Sequence, residues 1–390
     1  MKKLFKAVII IVVAVIVINI LNKKELKNSE STSEQPEVKI TKDEVKLTIF
    51  GDLLFEEPLY KDMASDRSGN DYFKRVKTKY FDNDDLSIGN MEVPIGTKDM
   101  KVSGEGFNFC APESVGELLS NQSIEVLSTA NNHTYDRGYD GLLSTINYFK
   151  NNTNIMTVGT YLNEDDRNTP RIIEKNNIKF GFLAYTYGTN VGVPAQYKEN
   201  IGYYYGDANR EKLTEEVKDI RDKVDVLIVI MHWGTEFTYN PNKDQLAMAS
   251  YLNSLNVDII IGSHSHCMQP IEWVGDDYKT LVYYSMGNFV SADDDISRTA
   301  PGNEEFDNAY QIGLLSTLKI TKENDAITID NIDTEPVVNY FDKNLKNFEL
   351  IPFEDYSDEY EKGHYRYKFG MTKDWITNTY NKVIAEEFRK

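Results

Sequence analysis

The 390-residue chain contains 5 histidines, and two of them, His264 and His266, stand two apart directly after the apolar run Ile259–Ile261 and Gly262. In extended or tightly turned backbone, side chains two apart project to one side, so both imidazoles can face one point. A His-x-His pair at the end of an apolar run serves as metal ligands when acids and amides join it; alone, it is as readily a pair of loop histidines. Such company is present. Asp52 follows VKLTIF and Gly51, Glu92 follows Leu86–Gly89, Asn132 and His133 follow Ile124–Thr129, and His232 follows Val226–Met231. Carboxylate, amide and imidazole donors together suit divalent ions of borderline hardness such as Mn, Fe or Zn. Two such ions about 3.5–4 Å apart, bridged by a carboxylate, would hold a hydroxide and clamp a phosphoryl group. A histidine that is not a ligand would protonate the leaving oxygen; His133 suits that role, with Asp136 a turn later to orient its ring. Only Cys267 among these motifs could offer a thiolate, which argues against a closed structural zinc site.

These side chains lie far apart in sequence, so the fold must bring them together. Each follows a short apolar run of the kind that forms a buried strand. Helical spacing separates several of the runs, at Gly141–Lys150, Arg210–Lys223 and Gln245–Asn253, and further strands are expected at Lys179–Ala184, Thr280–Ser285 and Gly313–Ile320. Alternating strands and helices predict an α/β fold with a mostly parallel or mixed sheet covered by helices. Ligands in such sheets collect at the carboxyl ends of the strands, which would place Asp52, Glu92, Asn132, His133, His232, His264 and His266 on one rim.

The formal charge of −19, from 43 Lys+Arg against 62 Asp+Glu, argues against a nucleic-acid partner, which needs a basic face. It would also repel a polyanion except where a metal or a local basic cluster reverses the field. Two cysteines, Cys110 and Cys267, are too few for a disulfide framework and are expected as separate buried side chains.

The ends of the chain differ from its body. Leu4–Leu21 is apolar except for Lys6 and Asn19, follows Lys2 and Lys3, and lacks a small-residue cleavage site, so residues 1–21 read as an uncleaved signal-anchor transmembrane helix. That reading would place a single-pass protein at the cytoplasmic membrane with its main domain outside. Residues 22–44 are polar and read as a flexible linker, and the globular domain is expected over 45–335. Residues 336–390, acidic and aromatic, read as a C-terminal extension lying as a strap over that domain, with a helical end at Trp375–Phe388. His364, alone there among charged and aromatic neighbours, is expected at the surface.

Six ordered stretches carry a resemblance: GDLL at Gly51, NMEVP at Asn90, ANNHTYDRGYDG at Ala130, HWGTEF at His232, IIIGSHSHCMQPIE at Ile259 and YSMGNFV at Tyr284. Together, over roughly Val45 to Val290, they resemble the CapA family of capsule or poly-γ-glutamate biosynthesis proteins, called PgsA in Bacillus-type bacteria. The resemblance implies a calcineurin-like metallophosphatase four-layer sandwich, two mixed β-sheets flanked by helices. It implies a part in poly-γ-glutamate synthesis or export, beside an ATP-dependent polyglutamate ligase and a small integral membrane subunit. It also implies one or two divalent metals, with Asp52 and His266 on the first, Asn132, His232 and His264 on the second, Glu92 bridging, and His133 as general acid. Asn90, Asn131, Trp233, Glu236 and Asn288, in the same motifs, are expected to contact substrate. The chain departs from the metallophosphatase pattern at three places. Leu54 stands where a histidine ligand is expected, Glu92 where a shorter aspartate sits, and Thr134 where an acid follows the general acid. The function is therefore open between a capsule-synthesis component whose metal-capable pocket engages the polymer, a metal-dependent phosphoesterase or other hydrolase, and a scaffold with a dead pocket.

Overall fold

The computed structural model describes residues 42–64, 70–104, 108–292 and 304–390. In chain order the strands are β1 (Lys42–Leu53), β2 (Leu86–Met91), β3 (Val126–Ser128), β4 (Met156–Val158), β5 (Ile172–Lys175), β6 (Ile178–Thr186) and β7 (Val226–His232). They continue with β8 (Ile259–Ser263), β9 (Ile271–Val274), β10 (Thr280–Tyr283), β11 (Asn288–Val290), β12 (Ile312–Glu323), β13 (Ala326–Tyr340) and β14 (Glu349–Pro352). The helices that bear on the argument are α1 (Glu113–Ser120), α2 (Gly138–Asn152), α3 (Asp207–Arg221), α4 (Lys243–Ser254), α5 (Glu304–Ala309) and α6 (Lys373–Val383).

The strands form two mixed sheets. One runs β14-β13-β12-β1-β2-β3-β4 with β11 also paired to β1, and the other runs β5-β6-β7-β8-β10-β9. Within them β1 to β4 are mutually parallel, as are β6, β7, β8 and β10.

Side-chain alternation explains the layering. Along β7, Val226, Ile228 and Ile230 join a core shared with Leu47, Ile49 and Ile88 of the other sheet, whereas Leu227, Val229 and Met231 pack with Leu213, Val217, Met248 and Leu252 of α3 and α4. On the other sheet Phe50, Leu53 and Leu127 face outward against Val115 and Leu118 of α1 and Phe149 of α2. The order is helix, sheet, sheet, helix, as expected. A strand buried on both faces must be apolar throughout, which is why VLIVIM shows no polar alternation. Each such side chain contributes roughly 1.5–3 kcal/mol by its burial.

Several expectations are corrected. β1 begins at Lys42 inside the stretch read as linker, because its polar start pairs with the end of β12, Lys42 opposite Glu323. The boundary at 335/336 falls within β13, and residues 42–390 form one compact unit. The acidic, aromatic end supplies β14 and sends Tyr356, Ile376, Tyr380 and Phe388 into the inter-sheet core, so much of its aromatic content is core content, although Tyr367 is exposed. His364 is buried: its Nε2 lies 2.9 Å from Asn339 O, and its Nδ1 accepts the Arg366 N–H. Burial lowers its pKa to about 4. Among the described residues no helix is long and apolar enough to cross a membrane, which overturns the single-pass location at the cytoplasmic membrane; Leu4–Leu21, on which that reading rested, lies outside the described residues. Cys110 and Cys267 are free and buried.

Candidate metal and acid–base site

The carboxyl ends of β1, β2, β3, β7 and β8 bring the chemistry together. The pairing of β1 with β2 shifts between Ile49 and Asp52, an irregularity of the kind that re-aims a side chain. Beyond it Asp52 is in register with Asn90 of β2 and Asn288 of β11, so three polar side chains line up across three strands. The backbone before Asp52 must pass close to the next turn: a Cβ on Gly51 would lie 2.0 Å from Gly287 O. Gly262 is under the same constraint, since a Cβ there would meet Tyr284 O at 2.1 Å. After it the chain turns through left-handed backbone at His264 (φ 93°) and His266 (φ 54°). Left-handed φ at two non-glycine residues is a local strain that the surrounding structure must sustain, and such strain gathers at functional sites.

One ligand atom from each of Asp52, Glu92 and His266 lies within 4.8 Å of the other two. Asp52 Oδ1 accepts from Asn90 Nδ2 at 2.7 Å, and its Oδ2 accepts from the His264 N–H at 3.2 Å. Neither oxygen of Glu92 has a hydrogen-bond partner, although both are buried; His232 Nε2 stands 3.8 Å from Oε1. A void of about 10 Å³ behind Glu92, lined in part by Asn131, Thr134 and Thr160, is at the lower limit for a single water. His232 Nε2 lies 2.8 Å from Asn132 Oδ1 and its Nδ1 2.8 Å from Ser263 Oγ. The His264 ring is 4.8 Å from that of His232, and its buried Nδ1 has no partner.

Burial governs the electrostatics. It raises the Asp52 carboxyl above its ordinary value, and it raises Glu92 well above, with the Asp52 charge adding to the effect. It lowers His232 well below the usual imidazole range and His264 to about 3, with neighbouring imidazoles adding to both. The cluster thus combines imidazoles held neutral with buried carboxyls short of positive partners. Orphaned carboxylate oxygens, an orphaned imidazole nitrogen and a mixed N/O donor set fit a divalent cation, whose charge would reverse the cost of ionising the acids.

His133 stands at the end of β3. Its Nδ1 lies 2.7 Å from Asp136 Oδ2, which also accepts the Phe109 N–H at 2.7 Å. The carboxylate therefore holds a proton on Nδ1 and sets the ring, with Phe109 edge-on to it at 4.7 Å. Thr134 gives its hydroxyl proton to Thr129 O and accepts the Asn131 N–H, so it braces the turn instead of serving the imidazole. Leu54 is core, packed among the aromatic and aliphatic side chains outside the sheet, so no ligand is offered from that position.

The residues expected to contact substrate divide. Trp233 has no exposed surface and gives its indole N–H to Tyr284 O, so it is a core residue. Its backbone follows the site while its ring points into the helix-covered face, as strand alternation requires. Asn131 is occupied in the loop, donating to Met91 O and accepting from the His133 N–H. Asn90 holds Asp52, and Asn288 faces His266. Only Glu236 is partly exposed, and its charge reaches both Glu92 and Tyr187.

Tyr187 was not anticipated. It is 37% exposed, follows β6, and places its ring 4.8 Å from His264. It ends an apolar strand as the ligands do, but a tyrosine after a strand carries no metal signature. The turn it begins also holds Asn132: Asn190 N donates to Asn132 O at 2.8 Å.

Residues 46–293 match the family model described as bacterial capsule synthesis protein PGA_cap. The chain is 28% identical to the PGA biosynthesis protein CapA of Bacillus subtilis (strain 168) over 261 residues, 66% of this chain and 66% of that one. It is 29% identical to the capsule biosynthesis protein CapA of Bacillus anthracis over 256 residues, 64% of this chain and 60% of that one. The match therefore spans under two thirds of the length of either relative. Among solved structures, a phosphatase from Mycoplasma pneumoniae aligns over 76% of this chain and 95% of its own at 14% identity, with a TM-score of 0.47.

Proposed function

The chain belongs to the bacterial capsule synthesis protein family PGA_cap, and from that premise we propose that it serves poly-γ-glutamate capsule synthesis through a divalent metal in the Asp52, Glu92 and His266 cluster. The observation that carries this reading is the buried Glu92 carboxyl, both oxygens without a partner, beside Asp52 and His266. With Leu54 in the core, Asp52, Glu92 and His266 are the three side chains that would hold the ion, fewer than the four protein ligands of a closed structural zinc site. Mn, Fe or Zn suits this donor set. Asn132, His232 and His264, with Glu92 between the two sets, are the residues that would take a second ion.

When bound, the metal supplies a Lewis acid and a docking point for an anionic oxygen, either a glutamyl carboxylate of the polymer or a phosphoryl group of an intermediate. The protein's own share is to hold and orient. Asn90 fixes Asp52, Asn190 fixes Asn132, and the left-handed turn at His264 and His266 aims both rings inward. Glu236 and the overall negative charge keep loose anions away from the mouth, so polymer binding depends on the ion. Its partners in this role are the polymer and the ligase that makes it.

A second reading, hydrolysis of a phosphoester or amide, is favoured by the His133–Asp136 pair, which is arranged to hold a proton for a leaving oxygen. The two readings separate in a strain that carries single variants in place of the native copy. Loss of bound metal and of capsule in His266→Ala, with capsule kept in His133→Ala, is the expected result for polymer engagement. Capsule lost in both, together with phosphodiester or amide cleavage by the native chain that His133→Ala abolishes, establishes the hydrolase. A native chain that binds no metal and a normal capsule in both variants would refute both readings and leave a scaffold.

A further inference from the structure

His266 contributes one ring nitrogen to the cluster with Asp52 and Glu92. Its Nδ1 lies 2.9 Å from Asn288 Oδ1. That amide cannot be turned over. Its Nδ2 donates to Tyr310 O at 3.1 Å, and a flipped amide would set oxygen against oxygen there. Tyr310 is itself fixed. Its carbonyl also accepts from Ser291 Oγ at 2.9 Å, its hydroxyl donates to Glu56 at 3.0 Å, and its ring stands 5.3 Å from that of His266. The Asn288 backbone is held as well, in register with Asp52 on β1 and with its carbonyl accepting from Asn339 Nδ2 at 3.2 Å. Asn288 and Ser291 have no exposed surface, so no solvent competes for these bonds.

We propose that Asn288 is a positioning residue and not a substrate contact: by offering only an acceptor to Nδ1, it holds neutral His266 in the Nδ1–H tautomer and gives the Nε2 lone pair to the divalent ion. His232 is held the other way round: the Asn132 amide oxygen, an acceptor only, faces its Nε2, while the Ser263 hydroxyl, which can donate or accept, faces its Nδ1. Partners behind a ligating histidine typically change metal affinity 10- to 100-fold, so the amide is as much a part of the site as the ligand it holds. The inference rests on the metal reading given above.

Two measurements on the purified full chain test it. In long-range 1H–15N spectra of the metal-free chain with labelled imidazoles, at a pH where imidazoles are neutral, His266 (assigned by its loss in His266→Gln) is expected with its proton on Nδ1. In Mn2+ titrations followed by calorimetry, Asn288→Leu, of similar size but without an acceptor, is expected to bind roughly 10- to 100-fold more weakly than the native chain, with His266 in a mixture of tautomers. A native His266 protonated on Nε2 overturns the proposal, as does an Asn288→Leu chain that binds Mn2+ as tightly as native. If Asn288→Leu fails to fold, the native tautomer still decides. If the native chain binds no Mn2+, the metal reading fails, while the role of Asn288 is still settled by the spectrum.

Discussion

Glu92 shows the opposition between stability and use most clearly. A buried carboxyl beside a second carboxyl, with no donor aimed at either oxygen, is costly to ionise in the metal-free chain and instead keeps a proton that it can turn toward Asp52. Glu92→Gln removes the acid at nearly constant volume and sets an amide donor beside Asp52. The metal-free variant is therefore expected to be more stable than native by about 1 kcal/mol, the scale of one net hydrogen bond gained, while its Mn2+ affinity falls at least tenfold. Thermal melts with chelator and a Mn2+ titration read the two effects independently. A variant less stable than native without metal would mean that Glu92 has a partner in solution and is not waiting for a cation.

The elements that carry the site were the readable part of the sequence, and the reason is burial. β7 and β8 are covered on both faces, so their apolar runs stand out and the first polar residue after each marks the rim. β13 was missed because its first half is an exposed hairpin arm with alternating burial and Pro336 interrupts the rest. The same lapse made the chain beyond it look like a strap. Roles set by tertiary partners were not readable either. Asn288 and Trp233 belong to motifs as regular as those of the ligands, yet one grips a histidine and the other fills a core, and only the neighbouring strands decide which. Phe388 tests the corrected view of the C-terminal segment. It lies two residues from the chain end but is 2% exposed, and its carbonyl accepts from Thr334 Oγ1 on β13. Phe388→Ala is expected to destabilise the chain by about 3–5 kcal/mol, as for any buried phenylalanine. A loss below about 0.5 kcal/mol in urea denaturation, the ordinary result at a surface position, would restore the strap.

For the molecule as a whole, the buried groups act on stability with opposite signs as pH changes. His264 and His364, held to about 3 and about 4, and His232, also lowered, are neutral in the folded chain at pH values where the unfolded chain protonates them. The unfolded state then binds more protons, so each of these makes stability rise with pH up to about 6.5. Asp84 and Glu125, both raised to about 6 by burial, and Asp52 and Glu92, raised as well, keep protons in the folded chain that the unfolded chain has released. Their contribution is full below about pH 4 and is lost as pH rises through the folded values. Between about pH 4 and 6 the two sets act against one another, and the melting temperature of the metal-free chain is expected to change less than either set alone would make it. A bound divalent ion removes two members of the second set, because Asp52 and Glu92 must then be ionised. The stabilisation by Mn2+, read as the difference in melting temperature between the loaded and metal-free chains, is therefore expected to grow steadily from pH 5 to pH 7 at fixed ion concentration. A difference that stays flat across that range would mean that the ion displaces no proton from this pair of acids and binds elsewhere.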